Sequence, residues 1–313
     1  MRAALGRLGP LAALLLACTV FAAQSGRFLT GGNLSLVVQQ VMVVGVLAVG
    51  QTLVILTAGV DLSCGAVMAL GGVVMARLAA ELGVPAPAAV AAGVGVTTLF
   101  GLANGLLVAA VRLPPFIVTL GTLNVAFALT QLYSGARTVT GLPPALTALG
   151  DTFRVGATPV AYGAVLMLAL YAVAAFALRE TAAGRHVYAV GDAPEAARLA
   201  GIHTRRVLLG VYALAGALYG AAALLSVART GVGDPNAGQT ENLDAITAVV
   251  LGGTSLFGGR GAVLGTLVGA LIVGVFRNGL TLLGVPSVYQ VLVTGVLVIL
   301  AVAADQLSRQ GAR

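Results

Sequence analysis

Long apolar runs, separated by glycine, proline and charged residues, follow one another along almost the whole chain. A run of roughly 17–25 apolar residues is long enough to cross a bilayer as an α-helix. The pattern therefore predicts an all-α, polytopic membrane protein with about ten transmembrane helices in a single domain, residues 1–313. The predicted helices are residues 8–24, 34–56, 62–80, 88–111, 116–133, 159–178, 208–228, 241–256, 261–281 and 287–304.

Two parts of the chain resemble each other in the same order. DLSCGAVMALGG (61–72) aligns with NLDAITAVVLGG (242–253), and GLANGL (101–106) aligns with GVFRNGL (274–280). The third and eighth predicted helices then correspond, and this odd shift turns the second half upside down in the membrane. Inverted repeats are typical of transporters, whose passage lies between the two halves. We therefore expect two inverted repeats.

Glycine pairs at four-residue spacing predict where helices approach each other closely. Lipid supplies no hydrophobic drive between helices, so small residues at the contact are the usual packing device. The pairs are Gly101/Gly105, Gly216/Gly220 and Gly265/Gly269.

Composition and charge agree with a membrane protein. The 313 residues are 59% hydrophobic and 9% charged, whereas about a quarter of the residues in a soluble domain are charged. The net charge of +7 comes from arginines scattered between apolar runs. Because they form no dense basic patch, we expect no nucleic-acid partner. Most of these arginines fall in loops on the same side of the predicted membrane as the N-terminus. Because cytoplasmic loops favour arginine, both termini are predicted to be cytoplasmic.

The first apolar run has two interpretations. Residues 8–23 follow Arg2 and Arg7, as the apolar part of a signal peptide would. We favour a short first transmembrane helix, because a polytopic chain seldom needs a cleaved signal.

A short polar segment, GDAPEAARLAG (191–201), lies between two apolar runs, in a predicted cytoplasmic loop at residues 180–207. Asp192 and Glu195 have the spacing of a capping box, and Gly201 favours a helix end. The pattern predicts one capped helix of about eight residues, too short to be stable without a surface to pack against. It is either an interfacial connector or a docking helix for a soluble cytoplasmic partner.

Polar residues within apolar runs are costly in lipid and are therefore candidates for function. The candidates for a translocation pathway are Asp61, Ser63, Asn104, Asn124, Asp244 and Asn278, with Gln39, Gln40, Gln51 and Gln131 as weaker ones. The alternative for the two aspartates is capping of helix N-termini, where the helix dipole favours a carboxylate. The alternative for Asn104 and Asn278 is hydrogen bonding between helices.

The sequence suggests neither catalysis nor a metal or cofactor of its own. It shows no nucleophile–base pair, and Cys18 and Cys64 lie within apolar runs, where cysteine is usually a small packed side chain. GTSLFGGR (253–260) lacks the Gly-Lys-Ser/Thr ending of a phosphate loop and is interpreted as a tight turn. The chain is not expected to be an enzyme, and a partner would have to supply the energy for transport.

Four stretches resemble the permease subunits of ABC importers for monosaccharides, and the resemblance is strongest to the ribose type. It covers roughly residues 34–308. The stretches are TAGVDLSCGAVMALGG (57–72), PPFIVTLGTL…YSGARTVTGLP (114–143), GRHVYAVGDAPEAARLAGI (184–202) and ENLDAITAVVLGGTSLFGGRGAVLGTLVGALIVGVFRNGLTLLGV (241–285).

The resemblance implies a homodimer in the cell inner membrane, surrounded by lipid, that imports a monosaccharide, with the pentose ribose as the first candidate. It implies an ABC ATPase subunit, which binds the ATP, and an extracytoplasmic sugar-binding protein that meets the outer loops 134–158 and 229–242. Permeases for an autoinducer or a nucleoside would look similar. A proton-coupled sugar carrier is the less favoured alternative.

In this family the helix of the long loop is a coupling helix that sits in a cleft of the ATPase. Carried over to this chain, the residues that form or flank it are Arg185, Asp192, Glu195, Ala196, Ala197, Arg198 and Gly201. One departure affects its start, because the family usually has Gly-Gly-Asn before Glu-Ala-Ala, whereas this chain has Asp192-Ala193-Pro194.

Overall fold

The computed structural model describes residues 2–156 and 158–310 of the chain, which fold mainly into helices. The chain ends predicted to be cytoplasmic, residue 1 and residues 311–313, lie outside the described residues. The helices are α1 (Arg2–Gln24), α2 (Gly31–Leu56), α3 (Cys64–Ala80), α4 (Ala86–Ala109), α5 (Pro115–Ser134), α6 (Pro144–Thr147), α7 (Tyr162–Glu180), α8 (Ala182–Asp192), α9 (Pro194–Leu199), α10 (Thr204–Thr230), α11 (Glu241–Leu251), α12 (Val263–Leu282) and α13 (Ser287–Gln310).

Within the described residues, 6 helices are long and apolar enough to cross a membrane. They are α2, α4, α5, α7, α10 and α12. Together they make this a multi-pass membrane protein. Each of the remaining predicted runs overlaps α1, α3, α11 or α13, of which α11 has only 11 residues, so the number of crossings stays a prediction.

One segment departs from the all-α prediction. Strands β1 (Thr152–Val155) and β2 (Thr158–Ala161) pair antiparallel in the loop before α7. Thr152 and Val155 are β-branched, and Gly156 adopts a φ of 61° that suits a tight turn. The prediction of a helix from residue 159 is therefore wrong at its start, because residues 158–161 belong to the hairpin and α7 begins at Tyr162.

The predicted glycine contacts are confirmed. α4 and α10 cross so closely that a Cβ on Gly101 would lie 3.0 Å from the Cα of Gly216, and one on Gly220 would lie 2.5 Å from Thr97 Oγ1. On α12, a Cβ on Gly265 or Gly269 would overlap carbonyl oxygens of the α11 segment. Helix pairs packed backbone to backbone form the core of the bundle.

The bundle has two ends, which are named here by what they carry. The α9 end holds α8, α9 and the turn between α11 and α12, since the amide of Gly259 donates to the carbonyl oxygen of Leu56 at 3.0 Å. The hairpin end holds β1 and β2, and Thr158 of β2 lies against Gly31 at the start of α2. Helix α2 therefore runs from the hairpin end to the α9 end.

Candidate functional site

Helix α9 projects from the α9 end of the bundle as an exposed knob. Of its six residues, all of them described, Ala197 alone is buried, and Leu199 is 79% exposed. Pro194 occupies the first turn, where its missing N–H costs no intrahelical bond. The exposed Leu199 on this short helix is available for contact with another protein.

The predicted end of this helix is confirmed. Gly201 adopts a φ of 86°, and its amide donates to the carbonyl of Arg198 at 3.0 Å. The amide of Ile202 donates to the carbonyl of Ala197 at 3.0 Å. These two bonds form a Schellman motif, which terminates a helix at a left-handed glycine.

The predicted capping box is wrong. Asp192 is the last residue of α8, and Ala193, with a φ of −151°, separates the two helices and takes the N-cap position of α9. No side-chain cap is formed there by the described residues. Glu195 instead accepts a hydrogen bond from Arg198 Nε at 2.9 Å on the exposed surface. The box fails because α8 uses Asp192 to complete its own last turn.

Helix α8 attaches the knob firmly to the bundle, at a surface that we call the α8 seat: Leu56 of α2 and residues 258–261 of the turn. A Cβ on Gly191 would overlap the carbonyl oxygen of Leu56 and lie 2.8 Å from the amide nitrogen of Gly259. Tyr188 donates its hydroxyl hydrogen to the carbonyl oxygen of Gly261 at 2.9 Å. Burial raises the pKa of Tyr188 more than nearby Arg179 lowers it, so the phenol stays a neutral donor.

Four of the predicted polar residues, and Tyr219, form a buried cluster that we call the polar core. Asp61 accepts hydrogen bonds from the backbone amide of Ser63 at 2.8 Å, from its hydroxyl at 2.6 Å, and from Tyr219 at 3.2 Å. Asn104 donates to Ser63 Oγ at 3.1 Å. The side-chain amide of Gln51 bridges the backbone N–H and C=O of Asp61 at 3.2 and 3.1 Å. The polar core fixes the segment that precedes α3.

The other predicted candidates lie apart from the polar core. Asn278 and Asn33 exchange reciprocal amide hydrogen bonds at 2.9 Å, between α12 and α2. Asn124 lies on an exposed face of α5 and donates to Leu120 of its own helix at 3.0 Å. Asn104 and Asn278, aligned in the repeat, therefore have different partners, and the repeat itself stays a prediction.

Asp244 lies one turn inside α11 and forms an ion pair with Arg277 of α12. The distance from Arg277 Nη1 to Asp244 Oδ2 is 2.9 Å, and Nη2 donates to Thr240 Oγ1 at 3.0 Å. The carboxylate is 1% exposed and the guanidinium 30%. Asp244 thus ties α11 to α12. Asp61 accepts from the amide of Ser63, the N-cap residue of α3, and the described residues form no side-chain cap at that helix start.

Two polar cavities flank the start of α11. The α13 cavity, about 440 Å³, lies between α2, α12 and α13, with Gln40, Arg277 and Gln290 in its lining. The α3 cavity, about 340 Å³, lies between α3, α10 and the segment before α11. Both are lined by Arg229, Thr240 and Glu241, so they adjoin at these residues.

None of the six main pathway candidates belongs to the lining of these two cavities. The charged residues that do line them were missed; they are Arg229, Asp234, Glu241 and Arg277. Each stands at or near the end of an apolar run, where a charge was interpreted as a boundary or topology signal. Gln40, a weaker candidate, does line the α13 cavity.

Comparisons with known proteins give a consistent picture. The family model described as the permease component of branched-chain amino acid transport systems matches residues 33–302. A fructose import permease of Rhizobium meliloti is 45% identical over 307 residues, covering 96% of this chain and 85% of that protein. A ribose import permease of Escherichia coli is 41% identical over 301 residues, covering 94% and 92%. A D-allose permease of the same species is 36% identical over 281 residues, covering 90% and 85%. No solved structure matches the chain.

Proposed function

Because this chain belongs to the permease-component family of branched-chain amino acid transport systems, within which it is similar to ABC sugar import permeases, we propose that it is the membrane subunit of an ATP-driven monosaccharide importer. It is a transport component and not an enzyme. The observation that carries the proposal is the combination of an exposed six-residue knob, α9, with a rigid backbone seat beneath it. Such a construction transmits force from a soluble partner into the bundle.

The proposed assembly contains two copies of this chain, two ABC ATPase subunits and an extracytoplasmic sugar-binding protein. In it, α9 enters the ATPase cleft. The permease lies in the inner membrane of the cell, with the α9 end and both termini facing the cytoplasm. The hairpin end receives the binding protein. About ten crossings in two inverted repeats would enclose the passage. ATP stays with the partner, since the turn at 253–260 has no phosphate-loop lysine.

Two sugars are the first substrates to test. Ribose is favoured by the four resembling stretches of sequence and by ribose permeases that are 38–41% identical to this chain. Fructose is favoured by the 45% identical relative. Uptake of D-ribose and D-fructose, measured with the binding protein of the same transport system, separates the two. Autoinducer and nucleoside import remain alternatives that the same assay tests by competition.

A charge reversal on α9 tests the proposed coupling. Glu195→Arg should abolish ATP-driven sugar uptake in proteoliposomes, because it places a cation on the exposed face that would meet the ATPase, while the chain still inserts into the membrane. Glu180→Arg is the matched control: Glu180 is also exposed at the α9 end, but it belongs to α7.

Two results would contradict the proposal. Unchanged uptake by Glu195→Arg would rule out α9 as the ATPase contact. Sugar uptake driven by a proton gradient, with no ATPase in the vesicles, would show that the chain is a secondary carrier.

A further inference from the structure

Resting on the proposed function, we propose that the junction of the two cavities, formed by Arg229, Thr240 and Glu241, is a contact site for a neutral, polyhydroxylated sugar during its passage. We call these three residues the junction. They lie where the end of α10 meets the start of α11, and they are the residues, among those that the structure describes, that line both the α13 cavity and the α3 cavity. A solute that moves from one cavity to the other passes between their side chains.

The space and the lining suit a small polar solute. The cavities, of about 440 Å³ and about 340 Å³, fall within the roughly 300–1,000 Å³ typical of small-molecule sites. Amide and hydroxyl side chains surround the junction on both sides and supply donors and acceptors. They are Gln40, Thr281 and Gln290 in the α13 cavity, and Asn236 and Gln239 in the α3 cavity.

The charged groups of the junction remain available to bind a solute. Among the described residues, neither Arg229 nor Glu241 has an ion-pair partner within 4.0 Å. The one hydrogen bond that Glu241 accepts comes from the adjacent Thr240 amide, at 3.3 Å. Arg277, by contrast, is held by Asp244 and Thr240. Arg229 is exposed and Glu241 is half-buried, so both charged groups are accessible to a solute in the cavities.

A second observation concerns Gln40, which lines the α13 cavity. Its Oε1 atom is buried and has no hydrogen-bond partner among the described residues. A rotation of the side-chain amide would present this acceptor to a solute in the cavity. Buried acceptors are nearly always satisfied, so an unsatisfied one implies a water or a ligand as donor. A sugar hydroxyl is such a donor.

The junction offers a sugar both charged donors and a charged acceptor. One guanidinium, Arg229, and one carboxylate, Glu241, stand at the junction, and the second guanidinium is neutralised by Asp244. The α3 cavity adds the carboxylate of Asp234, which accepts a hydrogen bond from the amide of Asn236 at 2.9 Å. A cation would meet Arg229 and an anion would meet Glu241, whereas sugar hydroxyls donate to the carboxylate and accept from the guanidinium. Hydrogen bonds to charged groups are the stronger ones.

The polar core is less suited to this role. Asp61 and Ser63 are buried, at 1% and 0% exposure, and their side chains are bonded to each other and to Tyr219 and Asn104. A sugar would have to break these bonds in order to replace them. The junction offers its groups without that cost.

The test compares ATP-driven uptake of D-ribose and D-fructose by four single variants in proteoliposomes that contain the ATPase and the binding protein. Glu241→Gln and Arg229→Gln should each lower the uptake rate at least about tenfold, the cost of one hydrogen bond to a charged group. Glu180→Gln and Arg27→Gln, exposed at opposite ends of the bundle, should leave it unchanged.

A reporter measures binding without the ATPase. The chain has no tryptophan, so Val291→Trp in the lining of the α13 cavity provides a single tryptophan, which can be excited at wavelengths where the seven tyrosines absorb little. Sugar should change its emission in a saturable way, with an apparent Kd raised about tenfold by Glu241→Gln. The doubly reversed variant Arg229→Glu with Glu241→Arg should not regain uptake, whereas a purely structural attraction between the two charges would be restored.

The outcomes distinguish a failure of the junction as a sugar site from a failure of the proposed importer. Normal uptake by Glu241→Gln and Arg229→Gln, or full recovery in the doubly reversed variant, would overturn the junction as a sugar site while leaving the importer intact. No ATP-driven uptake of any monosaccharide by the unaltered chain, with the ATPase and the binding protein present, would refute the proposed function, and the junction with it.

Discussion

At the scale of single residues, the contacts of buried polar groups decide what each of them does. Asp61 and Asp244 are both 1% exposed, yet one is held by hydroxyl and amide donors and the other by a guanidinium. The sequence supports both as candidates equally, because each carboxylate stands at the start of an apolar run. Their partners come from α10 and α12, so their roles depend on helix packing that no local pattern encodes.

A pair of tyrosine substitutions tests the polar core. Tyr219→Phe removes the donor to Asp61 Oδ2 and should lower the free energy of unfolding by about 1–3 kcal/mol, since the acceptor stays buried. Tyr171→Phe removes the bond to the carbonyl oxygen of Gly45, a bond to a neutral backbone acceptor, and should cost about 1 kcal/mol. Thermal unfolding in detergent measures both. A larger loss of stability for Tyr171→Phe than for Tyr219→Phe would show that the polar core does not hold the segment before α3.

At the scale of elements, α8 and α9 show where local signals suffice and where they do not. The end of α9 was predictable, because Gly201 offers a left-handed conformation that other residues adopt only with strain. Its start was not predictable, because Asp192 belongs to the preceding helix, α8, whose end packs closely against the α8 seat. That contact joins residues far apart in the chain.

The α8 seat is tested by adding one methyl group. Gly191→Ala places a Cβ against the backbone of Leu56 and Gly259, where no flexible side chain can move aside. It should destabilise the protein by about 1–3 kcal/mol and uncouple ATP hydrolysis from uptake. Gly210→Ala is the control: it lies inside α10 in open space, and alanine there should be neutral or stabilise by up to about 1 kcal/mol. Transport and thermal unfolding measure the pair, and a fully active Gly191→Ala would show that the seat carries no force.

At the scale of the whole molecule, the starts of α3 and α11 meet inside the bundle. Asn242 donates to the carbonyl oxygen of Leu62 at 3.3 Å, and a Cβ on Gly65 would overlap the carbonyl oxygen of Gly238. The segments were aligned by their sequence similarity, but their contact was not predictable from it. Six of the apolar runs correspond to helices long and apolar enough to cross a membrane, because lipid imposes length and composition on a spanning segment. The cavities and the hairpin depend on how distant segments assemble.

This contact yields a prediction for the transport cycle. Cysteines introduced by Leu62→Cys and Asn242→Cys, in a chain whose native Cys18 and Cys64 are replaced by alanine, should form a link with a short bifunctional thiol reagent. The link should stop ATP-driven uptake, because opening a passage between two halves requires their starts to separate. Each single cysteine variant treated with the same reagent is the control. Full uptake by the linked protein would place the moving boundary elsewhere.

Helix α2 runs without a proline from Gly31 to Leu56, and it contributes to three of the features described above. Leu56 lies in the α8 seat, Gln51 in the polar core and Gln40 in the α13 cavity. At 1.5 Å per residue, about 24 Å separates the first of these from the last. A continuous helix of that length is stiff, so we expect a displacement at the α9 end of the bundle to reach the lining of the α13 cavity directly.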